Sequence, residues 1–129
     1  MNYNKDLSIV ISLFNEEESL PELISWIEQV MTREGYSYEI IMVDDGSTDR
    51  SWAIVSELAQ KNPAIRGISF RRNYGKSAAL YHGFAAATGS VVVTMDADLQ
   101  DSPANPGSFA SANRTMGSFQ ITGISRLWQ

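Results

Sequence analysis

The stretch "VVVTMDADLQD", residues 91–101, runs from β-branched apolar residues straight into three carboxylates, Asp96, Asp98 and Asp101, within six positions. A short, continuous apolar run suits a strand buried on both faces. Carboxylates grouped at its end repel one another unless something positive sits between them. The same plan recurs upstream. Leu7–Phe14 (LSIVISLF) ends in Asn15, Tyr38–Val43 (YEIIMV) in Asp44-Asp45-Gly46, and Ile65–Phe70 in the loop Arg71–Lys76. Helical periodicity fills the intervals. Leu20, Leu23, Ile24, Ile27, Val30 and Met31 recur at spacings of three and four, predicting a helix from Glu16, capped by Asn15 and stopped near Gly35. Trp52, Val55, Leu58 and Ala59 mark a second helix, with Ser47, Thr48 or Asp49 available as its cap, and Ser77–Ala87 is an alanine-rich third that ends at Gly89.

Strand and helix alternate with connections too long for hairpins. This predicts an α/β, Rossmann-like parallel sheet with right-handed crossovers and flanking helices. Ligands of such sheets bind beyond the carboxyl ends of the strands. The unusual polar groups all fall at that edge, so four loops are expected to converge on one crevice.

The chain of 129 residues is one domain in size, and 43% apolar residues suffice for a core. A formal charge of -5 argues against nucleic acid as a partner, since that affinity rests on Lys and Arg against phosphate. Absence of cysteine excludes disulfides, thiolate metal sites and cysteine nucleophiles. The longest early apolar run, Ile9–Phe14, is far shorter than a membrane span or signal peptide, so the expected location is cytoplasmic.

Side chains alternate along a strand, so Asp96 and Asp98 share a side if the strand persists through them. Two carboxylates aimed into a crevice suit Mg²⁺ or Mn²⁺, which take oxygen ligands and keep positions open for substrate phosphates. The bland alternative is a solvated or capping loop. Asp44-Asp45 offers acceptors for a base or ribose, against an Asx turn as the plainer role. Arg71, Arg72 and Lys76 form the dense basic cluster of an acidic chain and suit a diphosphate, with Gly75 admitting a close backbone approach; a solvated charge run is the alternative. Trp26 and Trp52 read as core, and His82 as packing or surface.

"VISLFNEEESL" (10–20), "VDDGSTDRS" (43–51), "RNYGKSAAL" (72–80) and "DADLQD" (96–101), in that order, resemble the family 2 glycosyltransferases of the GT-A fold, and within them the polyprenyl-phosphate sugar transferases. The resemblance covers residues 7–101, the donor-binding half of such a domain. It implies a UDP- or GDP-sugar donor, a Mg²⁺ or Mn²⁺ cofactor and a polyprenyl phosphate acceptor. It places Asp45 or Asp44 at the base and ribose, with Asn15 and Glu16 lining the nucleotide pocket. Arg72 and Lys76 fall near the donor phosphates, Asp96 at the donor and metal, and Asp98 with Gln100 at the metal. The family often has proline where this chain has Ser12, which is expected to loosen the first loop.

Residues 102–129 contain no Asp or Glu, although all 15 acidic residues precede them. They show no sustained periodicity, and an irregular tail is expected there, or a truncation or shift of reading frame near Asp101. The division is therefore a donor-binding unit over 1–101 and a tail over 102–129. The general base expected of the family has no counterpart in that tail, and membrane association is expected only of a longer parent, at the cytoplasmic face. Three rival readings stand beside the transferase. One is a nucleotide-sugar-binding fragment without turnover. The others, a phosphoacceptor domain and a DxD phosphatase, would each carry the key acidic motif on the first strand.

Overall fold

A computed structural model describes residues 5–97 and the backbone of Gln120–Ile121. The elements alternate as the periodicities require: β1 (Lys5–Leu13), α1 (Leu20–Glu34), β2 (Tyr38–Asp44), α2 (Ser51–Lys61), β3 (Ile65–Ser69), α3 (Lys76–Ala86), β4 (Gly89–Asp96) and a short β5 (Gln120–Ile121). The sheet order is β3-β2-β1-β4-β5. The first four strands are parallel, and β5 pairs antiparallel with β4 at Val93 and Thr94. That antiparallel strand is a pairing not anticipated for the tail. The boundary expected at 101/102 lies outside the described residues.

Period-two alternation divides the core between the two faces of the sheet. Ile9, Ile11, Leu13, Ile40 and Met42 pack with α1 and with Val55 of α2, while Val10, Ile41, Val43 and Val92 pack with Ala79 of α3. Helix α1 buries Leu20, Leu23, Ile24, Trp26, Ile27, Val30 and Met31. At roughly 1.5–3 kcal/mol for each large side chain fully buried, this stripe outweighs intrinsic propensity in holding α1. Helix α3 sits unusually close to the sheet. A Cβ added at Gly83 would stand 2.3 Å from Val10 Cγ1, so its small residues are what allow the approach.

Three local expectations need correction. Helix α1 starts at Leu20 rather than Glu16, because Pro21 has no N–H to donate and is tolerated in a first turn but not in a second. Ser12 belongs to β1, where it is paired with Val43 and Asp96, so it stands within the strand and not in the first loop. Trp52 is 37% exposed: it covers edge strand β3, its ring 2.9 Å from where a Gly67 Cβ would stand, whereas Trp26 is buried.

At the amino-terminal edge of the strands, Glu39 is buried and accepts hydrogen bonds from Ser8 Oγ, Thr88 N–H at 2.6 Å and Thr88 Oγ1 at 2.9 Å, with Arg66 at 2.9 Å. Burial opposes its ionisation, but the bonds from Ser8 and Thr88 and the Arg66 charge outweigh it and hold its carboxyl below the usual range. Among the described residues, no helix is long and apolar enough to cross a membrane.

Candidate functional site

Two loops at the carboxyl edge are laced together by side chains accepting from backbone. After β1 the chain turns at Asn15, whose φ of 54° lies in the left-handed region that Asn tolerates better than most residues. Its N–H donates to Ser47 Oγ at 2.8 Å, and its Oδ1 accepts from the N–H of Thr48 at 2.8 Å and of Asp49 at 3.3 Å. Asn15 therefore organises the β2–α2 loop instead of capping α1; Ser19 stands at that cap, its hydroxyl donating to Glu16 Oε2 at 3.2 Å rather than accepting from the helix backbone. Glu16 N–H donates to Ser51 Oγ at 2.9 Å and Glu17 N–H to Asp49 Oδ2 at 3.4 Å. Asp49 Oδ1 also accepts from Ser51 N–H at 2.8 Å, at the start of α2. Burial works against the Asp49 charge, yet the bonds from Ser51 and Glu17 prevail and lower its pKa.

The acidic pair at the end of β2, Asp44 closing the strand and Asp45 just past it, is buried. Asp44 Oδ1 accepts from Ser47 N–H at 2.9 Å, three residues on, a local bond that stabilises the turn and fits the plainer of the two expected roles. Asp45 reaches the other way. Its Oδ1 accepts from Tyr74 N–H at 2.7 Å and its Oδ2 from Gly75 N–H at 3.0 Å, which fixes the β3–α3 loop while leaving lone pairs on both oxygens. Gly46, at φ 78°, lets these loops touch: a Cβ there would lie 2.3 Å from the Arg72 carbonyl carbon. Gly75 serves differently. Its φ of 105° requires glycine, and among the described residues nothing lies within 4 Å of its Cβ position, so the space beside it is open.

The described cleft is about 120 Å³, lined by Ser12, Leu13, Phe14, Asp45, Lys76 and Asp96. Small-molecule pockets run to roughly 300–1,000 Å³, so these walls by themselves take only part of such a ligand. Asp96, at the end of β4, is paired across the cleft with Lys76, the first residue of α3, at 3.1 Å from Oδ2 to Nζ. Arg72 lies outside the cleft lining, its guanidinium 5.1 Å above the Tyr74 ring. His82 is exposed and stacks edge-on with Phe70 and Tyr81, in keeping with a packing role.

Asp45, Lys76 and Asp96 are thus brought together; Asn15 and Glu16 organise the adjoining loops, while Asp98 and Gln100 lie outside the described residues. Among the described residues no three His, Cys, Asp or Glu side chains converge as a metal set. Asp96 nevertheless suits one oxygen ligand, since its half-exposed carboxylate at the cleft already holds a cation. Sequence reasoning missed Ser12, Leu13 and Phe14 as walls and Ser51 as a loop tie. The walls belong to an apolar run that reads as core, whereas the hydroxyl-rich "GSTDRS" was the available signal for Ser51.

A parallel sheet whose carboxyl-edge loops converge on one cleft is the arrangement of a Rossmann-like ligand-binding domain, here with the GT-A fold. The sequence model of glycosyl transferase family 2 matches residues 8–110, and the chain belongs to that family. The mannosyltransferase PcManGT from Pyrobaculum calidifontis, solved with GDP-Man and Mn²⁺, is similar at a TM-score of 0.64 and 27% identity, over 75% of this chain and 28% of that one. TarS 1-349 from S. aureus, solved with UDP, matches at a TM-score of 0.62 and 24% identity over 72% of this chain and 27% of its own. Its complex with UDP-GlcNAc matches at 0.59 and 20% identity, over 86% and 32%. The two TarS likenesses bear on the fold. The chain spans less than a third of the length of each of these proteins.

Proposed function

We propose that this chain is the donor-binding part of a glycosyltransferase that moves a sugar from a UDP- or GDP-sugar to a polyprenyl phosphate. The observation that carries the reading is the joining of three strand ends at one cleft: Asp45, just past β2, holds the β3–α3 loop, and Lys76, which opens α3 after that loop, faces Asp96 of β4. Family membership and the GDP-Man and Mn²⁺ bound to PcManGT support a nucleotide sugar and a divalent cation. The acceptor class rests on the motifs "RNYGKSAAL" and "DADLQD".

In this reading the remaining acceptor capacity of Asp45 receives the base or ribose, and Asn15 and Glu16 hold the loop that lines the nucleotide. Lys76 and Arg72 serve the diphosphate, Arg72 by leaving its place over Tyr74. Asp96, with Asp98 and Gln100, is assigned to Mg²⁺ or Mn²⁺. A bound divalent ion would neutralise charge on the departing nucleoside diphosphate. A phosphate acceptor is already anionic, so it asks less of a general base than a hydroxyl would.

Isothermal titration with UDP and GDP, in Mn²⁺ and in EDTA, tests the donor assignment; binding of neither nucleotide in Mn²⁺ would refute it. A second reading, donor binding without turnover, draws on the small share of its relatives that the chain spans. Transfer of labelled sugar to a polyprenyl phosphate by the purified chain would dismiss that second reading. The two phosphate-chemistry rivals are set aside, because the acidic pair stands at the end of β2 and the DxD motif begins at the end of β4, neither at the first strand, and the chain is a family 2 member.

A further inference from the structure

The Lys76–Asp96 pair is more than two members of one site. Lys76 opens α3 directly after the loop that Asp45 anchors, and Asp96 closes β4, so the contact bridges a helix start and a strand end across the cleft. Its partners are far apart in sequence, and both side chains are about half exposed, at 59% and 48%, which leaves the lysine stem free to swing. One carboxylate at this edge is thereby neutralised from within the chain. A divalent ion approaching the same oxygen meets an ammonium 3.1 Å from it. The two cations repel, and a hard divalent ion carries twice the charge of the ammonium.

Resting on the proposed donor site, we infer that Lys76 is the resident counter-cation of Asp96 and yields that place to the metal, moving onto the donor diphosphate it then helps to hold. Metal and Lys76 compete for Asp96, whereas donor and Lys76 cooperate. The pair keeps the site from accumulating negative charge when empty and links arrival of the metal to release of a phosphate ligand. A lysine that served the phosphates alone would not oppose the metal. The signature that separates the two roles is therefore opposite in sign for the two ligands: loss of Lys76 strengthens metal binding and weakens nucleotide binding.

The test is Mn²⁺ binding without nucleotide, followed by the paramagnetic resonance of free Mn²⁺, in the wild-type chain, Lys76→Gln and Arg72→Gln. Arg72→Gln removes the same charge from the preceding loop, at a side chain outside the cleft lining, and circular dichroism confirms that each variant is folded. Exposed ion pairs are worth 0.2–1 kcal/mol, so Lys76→Gln is expected to bind Mn²⁺ about 1.4- to 5-fold more tightly than wild type and more tightly than Arg72→Gln. With Mn²⁺ present, the same variant is expected to bind UDP or GDP more weakly. Unchanged or weaker Mn²⁺ binding in Lys76→Gln overturns the inference but leaves the donor site standing. An equal gain in Arg72→Gln also overturns it, since the effect is then general charge. A wild-type chain that takes up no Mn²⁺ overturns both this inference and the proposed metal role.

Discussion

Single residues decide whether the carboxyl-edge loops can meet at all. Gly46 is the sharpest case, because both its positive φ and the 2.3 Å approach of the Arg72 carbonyl carbon exclude a side chain. Gly46→Ala is expected to lower stability by about 2 kcal/mol or more, from the left-handed backbone cost and the clash together, as read by urea unfolding. An unchanged midpoint would mean that the two loops do not touch. Glu39 makes a different prediction. Its folded pKa is depressed, so its contribution to stability is present above the unfolded value of about 4.3 and is lost as pH falls through the lower folded value. Asp49 adds to the same acid limb. Glu39→Gln should therefore flatten the fall in stability below about pH 4.3 while destabilising the fold near neutrality, measured by urea unfolding across pH. Nothing in the sequence marked Glu39: a lone acidic residue in "YEIIMV" acquires its role only when Ser8, Thr88 and Arg66 arrive from other elements.

At the scale of elements, period and punctuation made most of the fold legible. Apolar runs announced β1 and β2 because central parallel strands are buried on both faces. Gly35 ends α1 in the left-handed conformation, its N–H donating to Met31 O, as the stop signal indicated. The helix starts were less legible. Asn15 looks like a cap but spends its carboxamide on another loop, a choice made by tertiary contact. Trp52 follows the apolar stripe of α2, yet α2 lies over the sheet edge, where amphipathicity does not ensure full burial. The alanine-rich text of α3 does carry a packing consequence. Gly83→Ala should cost about 1–3 kcal/mol by driving its Cβ into Val10, and Val10→Ala in the same chain should recover part of that loss. Independent, additive effects in the double-mutant cycle would contradict the close α3–β1 seat.

For the whole molecule, the motifs fall together at one edge of the sheet because a parallel topology delivers every strand's carboxyl end to the same side. They did not disclose how the groups pair there. That Asp45 clamps the Tyr74–Gly75 backbone, and that Lys76 meets Asp96, depends on loop paths that no periodicity encodes. The central claim is that these loops make a metal-dependent nucleotide site. Its most direct test is the thermal unfolding midpoint of the purified chain with Mn²⁺ and either UDP or GDP, since a ligand that binds only the folded state must raise it. At a nucleotide concentration 100 times its Kd the folded state gains about 2.7 kcal/mol, which for a domain of this size is a rise of several degrees. The account predicts such a rise with one of the two nucleotides, abolished by EDTA; a midpoint that moves with neither nucleotide in Mn²⁺ would contradict it.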